Sequence, residues 1–410
     1  MTHLTPRWLC ALLVAAPLAA CSVDDDGDLP LVSNLPDTGQ TLCFDASSAV
    51  ACPAAGQPFF GQDAQYGSTP PSYQDNGDGT ITDLNTGLIW TQQFTQTRYE
   101  DASAVAESMT TGGYDDWRVP TIKELYSLIM FDGNTGSAPP EATAPPPDAI
   151  PFIDTRYFEF EYGQTNRFID AQYVSSTRYV ATTMDGAETF FGVNFADGRI
   201  KGYPTTRPSG DYYAYFVRGA AGYGDNAFVD NGDDTVSDEA TGLMWMQRDN
   251  GAYGHGNTTY GGFVWEEALS YCEDLELAGY DDWRLPDTKE LQSIVDYSRS
   301  PATTSSAAID PVFMCTEIVV EDGSRNYPFY WTSTTHVEGV GNKAAYVAFG
   351  QAFGFMPRPD GTVSFQDVHG AGCQRSDPKT GDPAAYPTGF GPQGDVIRIY
   401  NYVRCVRDDG

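Results

Sequence analysis

Apolar positions recur along this chain in two matching series. Short runs rich in β-branched residues, such as Thr80-Ile81-Thr82 and Thr235-Val236-Ser237, follow Asn-Gly or Asp-Gly steps. Such steps predict hairpin turns that open into short strands. Leu88-Ile89-Trp90 and Leu243-Met244-Trp245 predict buried strands. The period then changes. Trp265, Ala268, Leu269, Cys272 and Leu275 fall on one face of a helix; Tyr99 to Met109 is the weaker counterpart. Next comes a stretch repeated almost residue for residue, 114–125 (YDDWRVPTIKEL) and 280–291 (YDDWRLPDTKEL). Trp117 and Trp283 are expected in the core. Pro120 and Pro286 end an extended segment. Thr121-x-x-Glu124 and Asp287-x-x-Glu290 have the spacing of a capping box. This predicts second helices over 121–130 and 287–297, with Leu125, Leu128 and Ile129, or Leu291, Ile294 and Val295, facing inward.

Two copies of one domain follow from this return. The windows 75–93 and 230–248 share eleven identical positions. Later segments keep the same order. Tyr173-Val174-Ser175-Ser176-Thr177 answers Tyr330-Trp331-Thr332-Ser333-Thr334, Phe191 to Phe195 answers Tyr346 to Phe349, and Phe216-Val217-Arg218 is matched to Tyr402-Val403-Arg404. The chain divides into a first domain over 66–220, a linker over 221–227 and a second domain over 228–410. The Pro-rich segment 139–147 is expected as a surface loop. With 42 Gly and 27 Pro among 410 residues, and no long helical period, the fold class is α+β, each copy holding two helices and short twisted antiparallel sheets.

The N-terminus adds an address. Arg7, a short apolar run from Trp8 to Pro17 and Leu18-Ala19-Ala20-Cys21 predict an export signal over 1–20. The site is similar to a lipobox, in which Cys21 carries the lipid. Ser22, not Asp, follows it, which by resemblance to the enterobacterial sorting rule implies the outer membrane. The apolar run is too short for a permanent span, and no other segment is a span candidate. Residues 21–65 are expected to be a tether.

Six further cysteines in an exported chain predict disulfides. Cys43 and Cys52 are close enough to form a small loop. Aligned from the repeated stretch, Ala106 falls opposite Cys272; aligned from the domain ends, Gly219 falls opposite Cys405. Copy one lacks both cysteines together, which pairs Cys272 with Cys405 and leaves Cys315 for Cys373. With no CxxC and four scattered histidines, a zinc site or a redox dithiol is not expected.

Charge narrows the partners. The net charge of −33 repels nucleic acid, anionic lipid and sulfated polyanions.

The combined pattern DNGDGT…TGLxW…DWRLP…KEL…SST…VRC resembles the C-terminal domain family of the Legionella collagen-like protein, over about 75–220 and 228–407. The resemblance implies a C-type-lectin-like fold with a helix-to-last-strand disulfide, and an envelope or surface adhesin module. The family's namesake binds sulfated glycosaminoglycans. This chain departs from it in having no collagen-like repeat and a strongly acidic balance. The Glu-Pro-Asn, Gln-Pro-Asp and Trp-Asn-Asp motifs that calcium-dependent lectins share are missing.

Candidate chemistry is sparse. Asp75, Asp78 and Asp83, with Asp230, Asp233 and Asp238, offer oxygen ligands for calcium, although Asp, Asn and Gly are also what a plain hairpin turn uses. Glu124 and Glu290 are expected to cap helices. Arg118 and Arg284 are expected to meet internal acids such as Asp115 or Asp281, or backbone carbonyls. The loop carrying Tyr253, His255, Asn257 and Tyr260 belongs to the eleven residues by which Trp245 to Trp283 exceeds Trp90 to Trp117. It is the candidate for stacking on sugar rings. No catalytic triad, phosphate loop or metal cluster stands out, so the chain is not expected to be an enzyme; a carboxylate-pair hydrolase is the enzymatic alternative. The expected role is lipid-anchored recognition of a glycan or a surface protein. The alternative is a structural envelope protein acting through protein contacts.

Overall fold

The computed structural model describes residues 35–409, apart from 68, 140, 165, 208–210 and 359. The export signal and Cys21 lie outside the described residues. Among those described, no helix is long and apolar enough to cross a membrane.

The fold is mixed α+β. Each copy opens on a four-stranded antiparallel sheet of the same order. In the first, Tyr73–Asp75, Thr80–Asp83 and Ile89–Thr91 are closed by Val217–Arg218; in the second, Phe228–Asp230, Thr235–Asp238 and Leu243–Met246 are closed by Val406–Asp408. Ile81 and Val217 flank Trp90, and Val236 and Val406 flank Trp245. Both tryptophans are fully buried.

Helices α1 (Ala102–Glu107) and α2 (Ile122–Ser127) belong to copy one, and α3 (Trp265–Glu273) and α4 (Thr288–Ser293) to copy two. All four are shorter than the periodicity predicts. The inward leucines and isoleucines are buried as expected, but Leu128, Ile129, Ile294 and Val295 lie just past the helix ends. Thr121 and Asp287 are the N-caps, each accepting from the backbone N–H of the glutamate three residues on. Each glutamate accepts in return from the cap N–H. Trp117 and Trp283 are buried, and their indole N–H groups donate to Thr111 and Leu277 carbonyls. The Pro120 and Pro286 carbonyls accept from Ser176 and Ser333 in the long strands.

The two copies share one eight-stranded sheet. Copy one supplies Thr95–Thr97, Tyr212–Ala214, Gln172–Thr183, Ala187–Asn194 and Arg199–Pro204. Copy two supplies Gln374–Pro378, Lys343–Ala348 and Phe329–His336. The seam is an antiparallel pairing of Ile200 with Gln374. Each copy thus presents its third long strand of this sheet to the other, antiparallel. The segment 221–227 is bound in place beside the seam helices: Lys123 donates to the Gly224 carbonyl and to Asn226 Oδ1.

Several expectations need correction. Residues 35–66 are not a free tether. Thr38, Gln40, Phe44, Gln62 and Asp63 are buried. Gln40 Nε2 donates to the Phe131 carbonyl of copy one at 3.1 Å and to the Thr335 carbonyl of copy two at 2.7 Å. Asp63 accepts from Thr38 and Thr334. The segment is a clasp across both copies, and its polar side chains are inside because each finds a partner.

The carboxylates that meet Arg118 and Arg284 are Glu124 and Glu290, not Asp115 or Asp281. Each arginine makes two bonds of 2.6–2.7 Å to its glutamate. One carboxylate thus serves both the helix cap and the arginine fork.

The disulfides Cys43–Cys52 and Cys272–Cys405 are present, but Cys315 and Cys373 are free thiols. They face different neighbours. Arg404 Nη2 donates to the Cys315 sulfur at 3.4 Å, whereas burial near Asp367 pushes the Cys373 thiol up. The domain ends also align three residues away from the sequence match. Val217 and Val406 are equivalent, so Arg218 answers Arg407, and Phe216, not Gly219, answers Cys405. Ala106 and Phe216 share a buried cluster with Trp117. In copy one an aromatic ring fills the space that the disulfide occupies in copy two.

Candidate functional site

The Asp-rich openings are turns. Asp75 and Asp230 each accept from the glycine N–H two residues on. Asp78 and Asp233 accept from Thr80 and Thr235. Asp83 binds the Asn85 and Thr86 amides, and Asp238 binds Ala227, Asn226 and Thr241. Asp83 and Asp238 close the strands Thr80–Asp83 and Thr235–Asp238 that begin at the turn, about 10 Å along at a strand's rise. They do not converge on one ion. Among the described residues, no group of three or more His, Cys, Asp or Glu is placed to hold a metal.

The loop of copy two divides. Asn257 builds it: its Oδ1 accepts from the Thr259 and Tyr260 amides. Tyr253 and His255 pack toward α3, where His255 Nδ1 lies 3.2 Å from the Tyr271 hydroxyl. Tyr260 alone of the four reaches a groove. It is 44% exposed and stacks on Tyr400 at 4.7 Å and 19°.

That groove has a volume of about 360 Å³, and its walls include Tyr260, Phe329, Phe355, Tyr386, Arg398 and Tyr400. Its size is in the range of small-molecule sites. Phe329 is fixed from behind by Tyr346, ring against ring at 4.5 Å and 4°. The Arg398 guanidinium stands 5.8 Å from the Phe329 centroid and forks onto Glu321, with Nη2 at 3.0 Å from Oε2. Asn401 also lines the groove, and its Oδ1 is buried with no donor.

The backbone between Arg398 and Tyr400 is strained. Ile399 has φ +63°, a left-handed conformation that β-branched residues avoid. The Tyr400 N–H donates back to the Arg398 carbonyl at 2.6 Å, a γ-turn of the rare hand. Asp377 holds it there. One of its oxygens accepts from the Arg398 N–H at 3.0 Å, the Ile399 N–H at 3.1 Å and Asn401 Nδ2 at 3.2 Å. Burial pushes the Asp377 carboxyl up despite these donors. The turn aims the guanidinium and the phenol ring at one groove, and strain kept by such a network is typical of working sites.

The arrangement can hold the apolar face of a ring against tyrosine and offer hydrogen bonds at its rim. Sequence reasoning found Tyr260 and missed Arg398, Tyr400 and Phe329. These lie 69 to 140 residues away in the chain. The one local signal was Tyr400 beside the domain's closing segment.

A second cavity, about 390 Å³, opens where the clasp meets copy two. Asp63, Asp287, Glu290 and Asp408 surround Arg284 there. Burial raises Asp63 to about 7 and also raises Asp287. Its groups are largely engaged with one another and with the helix cap.

In comparison with known proteins, the model of the Lcl C-terminal domain family matches residues 79–218 and 234–367. No curated protein and no solved structure matches.

Proposed function

The chain belongs to the Lcl C-terminal domain family, in two tandem copies, and from that membership we propose a non-catalytic role in recognition, with a glycan bound in the aromatic groove of copy two. The single observation that carries the reading is the stacked Tyr260–Tyr400 pair beside a strained, carboxylate-held turn. A sugar ring offers one face of C–H groups and a rim of hydroxyls. Tyr260 and Tyr400 match the face; Arg398, Glu321 and Asn401 match the rim. Family membership supports a place at the cell surface, and the export signal with Cys21 supports a lipid anchor in the outer membrane. The C-type-lectin-like reading is supported by the helix pairs α1/α2 and α3/α4, by the four-stranded antiparallel sheet that opens each copy, and by a disulfide from α3 to the residue before the closing strand.

A soluble form beginning at Ser22, screened on a glycan array with and without calcium, tests the proposal. The expected result is binding to a defined set of glycans that is weakened at least tenfold, about 1.4 kcal/mol, by Tyr260→Ala or Tyr400→Ala. Calcium should make no difference. No binding to any glycan, together with one dominant crosslinked envelope protein in the native membrane, would establish the structural role instead.

A further inference from the structure

A second unassigned cavity lies on the seam of the shared sheet. It measures about 320 Å³ and takes side chains from both copies. Arg199, Lys201 and Tyr203 alternate along the seam strand of copy one, Arg199–Pro204, so all three point to the same face. Lys343 and Arg375 meet them from the two neighbouring strands of copy two. These four cations share only three carboxylates. Asp197 lies between Lys201, at 2.6 Å, and Arg199, at 3.3 Å. Glu338 lies between Arg199 and Lys343. Asp395 binds Arg375 and also the ring of His369 at 2.8 Å. A fifth cation at the mouth, Arg167, has its own partner in Asp170 at 2.6 Å.

The concentration of positive charge is at odds with the rest of the chain, which has 56 acids and 23 bases. Donors are also left over. Among the described residues, Arg375 Nη1, Arg199 Nε and the Tyr203 hydroxyl are buried and have no acceptor, the Tyr203 hydroxyl standing beside the Asn194 amide. A buried donor left unmade is costly, and here three are left around one cleft. Burial and the neighbouring guanidinium groups lower Lys343 to about 7, and burial lowers Lys201 to about 8. Both values follow from too much positive charge in too little water. Asp197 keeps one oxygen without a donor among the described residues and stands against Lys201 and Arg199, so an incoming anion is directed away from it, toward Arg375 and Lys343. Tyr346, Phe168 and Phe390 give the cleft apolar walls, with Lys343 Nζ 5.1 Å from the Phe390 centroid.

We propose that this seam cleft binds a small molecule through a compact oxyanion, a carboxylate or a phosphate, held by Arg375, Lys343 and the Tyr203 hydroxyl. The anion would receive the unpaired N–H and O–H donors and restore charge balance. The apolar walls would cover the rest of the ligand. This is a different site from the aromatic groove. It needs both copies, and Arg375 and Asp395 lie beyond residue 367, where the second family match ends. It is therefore a property of this tandem chain.

Titration calorimetry at fixed ionic strength on the soluble form beginning at Ser22 tests it, with D-galacturonate, inorganic phosphate and D-galactose as probes. At least one of the two anions should bind saturably, while D-galactose should not. Tighter galacturonate identifies a sugar carboxylate; tighter phosphate identifies a phosphate group. Lys343→Gln should weaken the bound anion at least tenfold. Tyr203→Phe removes a hydroxyl whose polar neighbour is the Asn194 amide, already bonded to the Ile169 carbonyl and the Ala196 N–H, so it should change the unfolding temperature little and weaken the anion several-fold. If Lys343→Gln does not fold, the Tyr203→Phe result decides. Tyr260→Ala should leave anion binding intact, which separates this site from the groove. Absence of saturable heat with both anions, or unchanged affinity in the folded variants, overturns the proposal.

Discussion

The ammonium of Lys289 donates to the carbonyl of Ser127 at 2.9 Å, which ties α4 of copy two to the C-terminal end of α2 in copy one. Lys123 returns the contact, donating to the Ser293 carbonyl at 2.7 Å. Both are the lysine of the repeated KEL. Each supplies a positive charge where a helix ends in unpaired carbonyls. Lys289 also reaches the Asp37 carbonyl in the clasp. Replacing either lysine by methionine keeps the apolar stem and removes the donor. Lys289→Met should cost about 1–3 kcal/mol, since it leaves buried carbonyls without a partner. The double variant with Lys123→Met should split a single unfolding transition into two, read by calorimetry. One unbroken transition at the original temperature would exclude the lysines as the link between copies.

Glu290 lies at the meeting of cap, fork and cavity. Glu290→Gln keeps the shape and loses the charge; Glu290→Ala takes the two-bond partner from a largely buried Arg284 and leaves it Asp408 alone, at 3.3 Å. The second should destabilise by about 3–5 kcal/mol and the first by less, measured by urea unfolding. Equal losses would mean that charge, not geometry, governs the site.

Copy one and copy two close the same joint by different chemistry. Reducing Cys272–Cys405 opens a loop of 133 residues and should cost about 5 kcal/mol in the chain-entropy view. Phe216→Ala in copy one should cost about 3–5 kcal/mol through a cavity. The soluble form beginning at Ser22, denatured without reduction, should show two reactive thiols, Cys315 and Cys373, by mass after alkylation. A Cys315–Cys373 peptide would contradict the free thiols.

The Asp63 carboxyl gives the clasp a pH dependence. Burial raises it to about 7, while an unfolded aspartate titrates near 3.9. Between these values the folded state holds the extra proton. Its contribution is therefore full below about pH 4 and is lost as pH rises through 7, by at most about 1.4 kcal/mol per unit. Asp63→Asn should flatten that part of the stability profile. Thermal unfolding of the two proteins from pH 4 to 8 compares them directly. Parallel profiles would assign the slope to other groups.

The parts legible in the sequence are those whose partners lie within a few residues. Trp117, Pro120, Thr121 and Glu124 specify a strand end and a helix start within eight positions, and the repeat at Trp283 doubled the signal. The comparison of the two copies also gave Cys272 its partner. The clasp was hidden because Thr38, Gln40 and Asp63 read as solvated polar residues; their burial depends on Thr334 and Thr335, nearly 300 residues away. The Arg118 partner was missed because Glu124 already had one task. The groove and the seam cleft depend on strand register across the copies, which no local stretch specifies. A visible hint of the cleft was the alternation Arg199-x-Lys201-x-Tyr203.

The pairing of Ile200 with Gln374 bears on how such a chain arises. A molecule with copy one alone would present the edge of Arg199–Pro204 to solvent, together with Lys123 and no helix end to receive it. An open edge of that kind recruits a second molecule, and self-association would then depend on concentration. Joining the copies in one chain makes the encounter intramolecular, at an effective concentration that a short connection sets near the millimolar range. It also frees the two halves to differ. Only an asymmetric pair can keep the shared edge while one half lengthens the segment after Gln374–Pro378, which brings Tyr386, Arg398 and Tyr400 to the groove.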